Sequence, residues 1–308
     1  MYRRHPWVVG VSKALLVVVP LGFLCWNLSA NWEDLQQYDW QFNGTAGALA
    51  VVCLMAAFGV LPVGSQQALR AFGYSLDYRD AFRGYFLAQP AKYLPGGVWV
   101  LPGRALALSE VGVKVVHSGA AQVIEGCFML VGAVVVFTPY LIFGDTGPMP
   151  VAGVAGCFVA AAALLCLHPA LFNRTATWIL RRLGQAAVEV RLSARIVIGM
   201  LLTYVGFWVV AGVGFYLLVS SVHEVPVNLA ALLLAAMSMA WVIGFIAFLA
   251  PAGAGVREGA LALLLAPILP SPLPAALALM ARIWWTAAEL ILVLAAVISR
   301  RRTESQPD

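Results

Sequence analysis

The sequence predicts an all-α, polytopic integral membrane bundle with about eight membrane segments, some of them broken or re-entrant half-helices. Three observations predict it. Of 308 residues, 62% are apolar and only 11% charged, with a mean hydropathy of +0.89; a soluble domain has about 45–50% apolar and about 25% charged residues. The apolar residues fall into runs long enough to cross ~30 Å of hydrocarbon as helix. Two further apolar stretches are interrupted by proline, glycine and cations. This composition excludes a water-soluble enzyme, a disordered chain and a coiled coil. The longest polar-rich stretches, 64–83 and 169–195, are too short for a soluble domain, so 1–308 is expected to be one integral membrane domain.

The runs are 7–26, 46–63, 115–137, 151–167, 196–219, 227–249, 259–269 and 275–298. The first follows Met1-Tyr-Arg-Arg-His and has no small-x-small cleavage site, so it reads as a retained helix rather than a signal peptide. The seventh is too short to cross alone and is expected to act as half of a broken pair. Basic residues near segment ends set orientation. Arg3, Arg4 and Lys13 open the chain, and the loop 31–39 holds Glu33, Asp34 and Asp39 with no Lys or Arg. Arg70, Arg79 and Arg83 come next, followed by the loop 139–150 with Asp145 alone. Then come Arg174, Arg181, Arg182, Arg191 and Arg195, the loop 220–226 with His223 and Glu224, and the tail Arg300, Arg301 and Arg302. This alternation predicts a multi-pass protein of the inner cell membrane with both termini cytoplasmic. Residues 169–192 read as an amphipathic surface helix, with Arg174, Arg181, Arg182, Gln185 and Glu189 on one face. The alternatives are a solvated connector that only sets topology, and a face that binds anionic headgroups.

The net charge of +5 is explained by orientation, and no nucleic-acid partner is expected. Cys25, Cys53, Cys127, Cys157 and Cys166 all lie in apolar runs, odd in number and without a C-x-x-C pair. They read as small core residues, and no disulfide, metal or cofactor is expected. His117, His168 and His223 fall near segment ends and read as interface residues.

The first interrupted stretch, 82–104, contains Pro90, Pro95, Gly96, Gly97, Pro102 and Gly103 together with Lys92 and Arg104. A continuous helix cannot run through Pro95-Gly96-Gly97. The charge map puts both ends on the cytoplasmic side, so a re-entrant hairpin fits. The second, 245–265, has an apolar run, a break at Pro251, Gly253 and Gly255, then Arg257 and a fresh apolar run. Irregular backbone at membrane depth survives only where protein buries it or water reaches it. One break per half is the pattern of transporters whose broken helices meet at a midplane site. Each break is followed by Arg and Ala-Leu-Ala-Leu, a weak repeat signal.

At these residues the sequence resembles the flippase-like transmembrane family, the membrane region of lysylphosphatidylglycerol synthases and its stand-alone relatives. Lys92-Tyr-Leu-Pro-Gly-Gly-Val-Trp99 with Arg104 is similar to the family's K-Y-[IL]-P-G-x-[VI]-W…G-R signature. Pro251-Ala-Gly-Ala-Gly-Val-Arg-Glu258 resembles P-G-G-x-G-x-R-E, and Arg282-Ile-Trp-Trp-Thr-Ala-Ala-Glu289 resembles R-x-x-[WY]-[ST]-x-x-E. Ala252 and Ala254 depart from the second signature, and Gly126 follows Glu125 where the family often has arginine. The resemblance implies lipid translocation or handling. The full synthases add a soluble aminoacyl-transfer domain; this sequence shows none, so no lipid synthesis is expected.

The candidate substrate-binding residues are Lys92, Tyr93, Arg104, Glu125, Arg257, Glu258, Arg282 and Glu289. Charges in hydrocarbon are costly and face an interior, a partner or water. For Lys92 and Arg104 the choice lies between capturing a lipid phosphate and snorkelling to the interface. Glu258 either caps a half-helix or leaves its N-terminus to bind phosphate. Arg282 and Glu289, seven apart on one helix face, each need a partner elsewhere, with Glu125 or Glu258 as candidates for Arg282. Glu125, with Gln122 three residues earlier, marks the inward face of its span; the pairs either glue the bundle or line a charged cavity. Trp284 and Trp285 are expected to pack or anchor. The leading function is translocation of an anionic phospholipid or a polyprenyl-phosphate-linked sugar. The alternative is a non-catalytic membrane partner of a glycosyltransferase or polymer-export system, and a homo-oligomer is also open. A lipid enzyme is disfavoured, because no H-E-x-x-H, G-x-S-x-G or paired-Asp motif is present; nor is there a P-loop.

Overall fold

Five helices among the described residues are long and apolar enough to cross a bilayer. The computed structural model describes residues 29, 32–93, 99–143, 170, 173–174, 192–247, 253 and 255–304. The expected spans at 7–26 and 151–167, the breaks Pro95, Gly96, Gly97 and Pro251, and most of the 169–192 surface helix lie outside these residues. In chain order the helices are α1 (Trp32–Gln37), α2 (Gly44–Arg70), α3 (Tyr78–Ala88), α4 (Val100–Ser109), α5 (Val115–Phe143), α6 (Ala194–Ser220), α7 (Ala230–Ile246), α8 (Val256–Leu265) and α9 (Leu273–Glu304). A 3-10 turn, Gln89–Tyr93, extends α3, and another, Val227–Leu229, leads into α7. No strand occurs among the described residues.

The long spans begin where side chains satisfy the first free N–H groups. Asn43 Oδ1 accepts from Ala46 N at 3.0 Å at the start of α2, and Ser193 Oγ accepts from Ile196 N at 3.3 Å at the start of α6. Helices α2 and α6 form the centre of the bundle, and α5, α7 and α9 pack around them. Small residues let the central pair approach, with Ala50 and Ala57 of α2 and Ala211 of α6 fully buried. Phe58 of α2, Phe86 of α3, Phe207 of α6 and Trp285 of α9 meet above this seam, with the Phe58 and Trp285 rings edge to face at 5.0 Å.

The expected hairpin is present as two short helices packed against each other, α3 of 11 residues and α4 of 10. At ~1.5 Å per residue each covers about half the hydrocarbon thickness. Gly84 permits the packing, because a Cβ there would lie 2.6 Å from Leu108 Cδ2. Both hairpin ends reach the C-terminal end of α9. Arg83 donates to the Ser299 hydroxyl at 3.1 Å and to the Ser299 carbonyl, and Arg300 pairs with Glu110 at 3.3 Å. The hairpin therefore enters and leaves on one face, as a re-entrant element must. At the opposite end of α2, Asn43 N donates to Ser221 O at 2.8 Å, and Tyr38 Oη lies 2.6 Å from His223 Nδ1. Two of the three acid-containing loops of the charge map, 31–39 and 220–226, thus share a face.

The short seventh segment is α8, shifted from the expected 259–269 to Val256–Leu265. It starts earlier because Gly255, at φ +82°, turns the chain directly into the helix, and it stops before Pro267. Both halves of the chain therefore place a ten-residue helix after their break and before a long span.

Candidate functional site

Each short element is joined to a full-length span by a cation and a carboxylate. Lys92, on the 3-10 turn that caps α3, sets its Nζ against both carboxylate oxygens of Glu289 on α9. Arg104 of α4 places Nη2 at 2.7 and 2.8 Å from the two oxygens of Glu125 on α5. Glu258 of α8 accepts from Arg282 Nη1 of α9 at 3.1 Å. Of the two partners expected for Arg282, the structure thus selects Glu258. Glu125, which has no arginine beside it in sequence, takes one from α4 instead.

The three pairs differ in what they expose. The Arg104 and Glu125 side chains are 6% and 7% exposed, so that pair is sealed. Lys92 and Arg282 are each 21% exposed, while their partners Glu289 and Glu258 are at 5%. In both half-open pairs the cation is the more exposed partner and the carboxylate is buried. Arg257 joins this group: its guanidinium stacks 4.1 Å from the Trp285 ring centroid, and Arg257 and Arg282 both lie near enough to act on the charge of Lys92.

Local backbone geometry sets these positions. Gly253, at φ +66°, lies against α7, where a Cβ would approach the Gly244 carbonyl oxygen to 2.9 Å. A Cβ on Gly244 would in turn meet Arg257 Cβ at 2.8 Å. The break thus folds onto the end of α7 and delivers Arg257 to α9. Glu258 does two jobs at once. One oxygen accepts from Gly255 N at 2.6 Å and the other from Arg282, so this carboxylate occupies the start of α8.

Seven of the eight candidate residues fall into this arrangement: the Lys92–Glu289 and Glu258–Arg282 pairs with Arg257, and the sealed Arg104–Glu125 pair. The side chain of Tyr93 lies outside the described residues. Tyr85 connects the two groups and was not singled out from sequence. It is half-buried, with Arg104 stacked 4.5 Å over its ring and Glu125 and Glu289 both nearby. Ser65 and Tyr204 turn buried hydroxyls toward Glu125 without closing well-formed hydrogen bonds. An intramembrane tyrosine in an otherwise apolar run was the available signal for Tyr204. Gln122 ties α5 to α4 through Leu101 O at 3.1 Å, as its place on the inward face suggested. Of the histidines, His117 meets Tyr74 Oη at 3.0 Å beside the start of α5, and His223 meets Tyr38 as above.

These features define a class, a polytopic helical membrane protein with two broken elements whose charged side chains pair with the long spans α5 and α9. Within that class, the profile of the lysylphosphatidylglycerol synthase TM region matches residues 7–296, and the chain belongs to this family. A search of curated proteins finds no match.

Proposed function

We propose that the protein translocates or handles a membrane lipid, holding the headgroup phosphate with Lys92 and Arg282 and with Arg257 beside them. The observation that carries this reading is the unequal exposure of the half-open pairs: each cation is 21% exposed and each carboxylate 5%. Such pairs offer positive charge to an incoming anion and keep the neutralising charge buried. Arginine supplies a fork to phosphate oxygens and lysine a point charge. The cargo classes are an anionic phospholipid and a polyprenyl-phosphate-linked sugar. The protein is placed in the inner cell membrane with both termini cytoplasmic and is read as non-catalytic; Arg104 with Glu125 anchors the hairpin.

The test is reconstitution into vesicles carrying reporter lipids whose headgroups are read from outside by an impermeant reagent. Acceleration over empty vesicles, reduced at least about tenfold by Arg282→Gln, is the expected result. No acceleration for any lipid class would refute it. Co-purification with a membrane glycosyltransferase in the absence of transport would favour the partner role instead.

A further inference from the structure

We infer that Glu125 is a proton-binding site whose protonation releases the hairpin from α5: the carboxyl exchanges Arg104 for the hydroxyls of Ser65 and Tyr204. The proton site stands on the geometry of the pair, and its coupling to transport rests on the translocation reading.

The pair is built to be separable. Both Glu125 oxygens share one nitrogen, Arg104 Nη2, at 2.7 and 2.8 Å, instead of meeting the two-nitrogen fork that holds a carboxylate most firmly. Among the described residues, Arg104 Nε is buried without a hydrogen bond, and so are Ser65 Oγ of α2 and Tyr204 Oη of α6. Both hydroxyls lie near enough to Glu125 to act on its charge. Ser65 is 1% exposed and Tyr204 2%. A buried polar group without a partner is costly and uncommon; here groups from α2, α4 and α6 surround one carboxylate. Two glycines bring Tyr204 to it. A Cβ on Gly64, next to Ser65, would lie 2.5 Å from Tyr204 Oη, and a Cβ on Gly132 of α5 would lie 3.0 Å from the Tyr204 backbone.

A carboxylate only accepts hydrogen bonds, whereas a protonated carboxyl also donates one. When Glu125 takes a proton from a hydronium ion, an O–H bond forms at one oxygen and a water molecule is left. The neutral carboxyl donates to one of the two hydroxyls and accepts from the other. Both buried hydroxyls are then paired, and Arg104 loses the charge that held it. Arg104 keeps its own proton, so the pair passes from net zero to one positive charge. The hairpin is free to leave α5, and it carries an uncompensated guanidinium that suits an anionic headgroup. Half-buried Tyr85 marks the way in, since it lies near both Glu125 and Glu289 and so adjoins the half-open Lys92–Glu289 pair.

Among the described residues, the groups facing Glu125 are Ser65 from α2, Tyr85 from α3, Arg104 from α4 and Tyr204 from α6. Helix α7 carries no charged residue, and Gln122 on α5 is engaged with Leu101 O. Outside the described residues, the apolar runs 7–26 and 151–167 and the segment 94–98 contain one charged residue, Lys13.

The first readout needs no cargo. Infrared difference spectra of the full chain in phosphatidylcholine bilayers, taken between high and low pH, are expected to show the C=O stretch of a protonated carboxyl that Glu125→Gln removes. Tyr204→Phe withdraws a hydrogen bond from that carboxyl and is expected to shift the band, which a purely packing role for the tyrosine would not do. The second readout is the rate for a phosphatidylglycerol reporter in phosphatidylcholine vesicles. The wild type is expected to speed up as pH falls, by up to about tenfold per pH unit for one proton. Glu125→Gln, neutral at every pH, is expected to lose that dependence. If Glu125→Gln does not assemble, the band shift in Tyr204→Phe decides. A spectrum with no band that Glu125→Gln removes overturns the proton site. A band unmoved by Tyr204→Phe overturns the exchange of partners. Equal pH dependence of transport in the wild type and Glu125→Gln overturns the coupling. With the reporter unmoved at any pH, translocation of this lipid fails, while the band still decides the proton site.

Discussion

The sealed pair on α4 and α5 allows a prediction worked from geometry. Arg104 Nη2 lies 2.7 and 2.8 Å from the Glu125 oxygens, and both side chains are more than nine-tenths buried. With charge centres about 4 Å apart and an effective dielectric of about 20, the attraction is about 4 kcal/mol. Removing one partner strands the other, at a cost of about 3–5 kcal/mol. Arg104→Met and Glu125→Met should each destabilise by that amount. Replacing both with Met removes the stranded charge and should fall within about 1 kcal/mol of the wild type or above it, since apolar substitutes for buried pairs are often neutral or stabilising. The coupling energy from the cycle should therefore exceed about 3 kcal/mol. The assay is reversible unfolding by SDS titration in mixed micelles, read by tryptophan fluorescence. Single variants within about 1 kcal/mol of the wild type, or a double variant costing the sum of the two, would refute the view that the pair is dry and mutually dependent.

Other predictions follow from single contacts. Gly244→Ala puts a Cβ 2.8 Å from Arg257 Cβ and should cost about 1–3 kcal/mol in the same titration, with lipid transport lowered as Arg257 is displaced. Trp285→Leu removes the ring that Arg257 stacks on and the edge-to-face contact with Phe58, and should destabilise by about 2–5 kcal/mol. The Asn173 amide holds both backbone groups of Leu192, at 3.0 and 3.1 Å, so Asn173→Ala should speed tryptic cleavage in the arginine-rich segment 174–195. Burial and the neighbouring Asp39 raise the Tyr38 phenol above its ordinary value of 10.0. The folded state then holds that proton more tightly than the unfolded state, and stability should decline as pH rises beyond 10.0; Tyr38→Phe should flatten the decline.

The membrane class and the long spans were legible because each depends on composition over about 20 residues. The hairpin and the start of the second broken element were legible because proline and glycine interrupt those runs, and only a few backbone arrangements satisfy the interruption. The partner of Arg282 was narrowed to two acids by helix periodicity but not chosen. That choice depends on how α8 docks on α9, which follows from Gly253 meeting Gly244, a contact between backbones with no signature in side-chain chemistry. Tyr85 was missed for a similar reason. In sequence it is one of several aromatics in 82–93; only the packing of α3 on α4 brings Arg104 over its ring. Glu125 was matched only with Arg282 as a candidate, because the arginine it takes is supplied 21 residues away rather than by the next position.

The three ion pairs have a common physical cause. In lipid, apolar burial supplies no hydrophobic force between helices, so packing and polar contacts must position them. A long span also has its length to fix its depth, because both ends must reach water. Helices of 10 and 11 residues have no such constraint. The turn that follows α3, together with α4 and α8, carries one charged residue that meets an opposite charge on α9 or α5. Lys92–Glu289 and Arg83–Ser299 also run in antiparallel register, so α3 is fastened to α9 at two levels. Because α8 is fastened to α9 as well, α9 carries both broken elements. Any motion that exposes Lys92 and Arg282 to the other face must then either move α9 with its two attachments or break a pair. On the proposed reading, an anionic headgroup that binds Lys92 and Arg282 would weaken their hold on Glu289 and Glu258, so binding would loosen the attachments of both broken elements to α9.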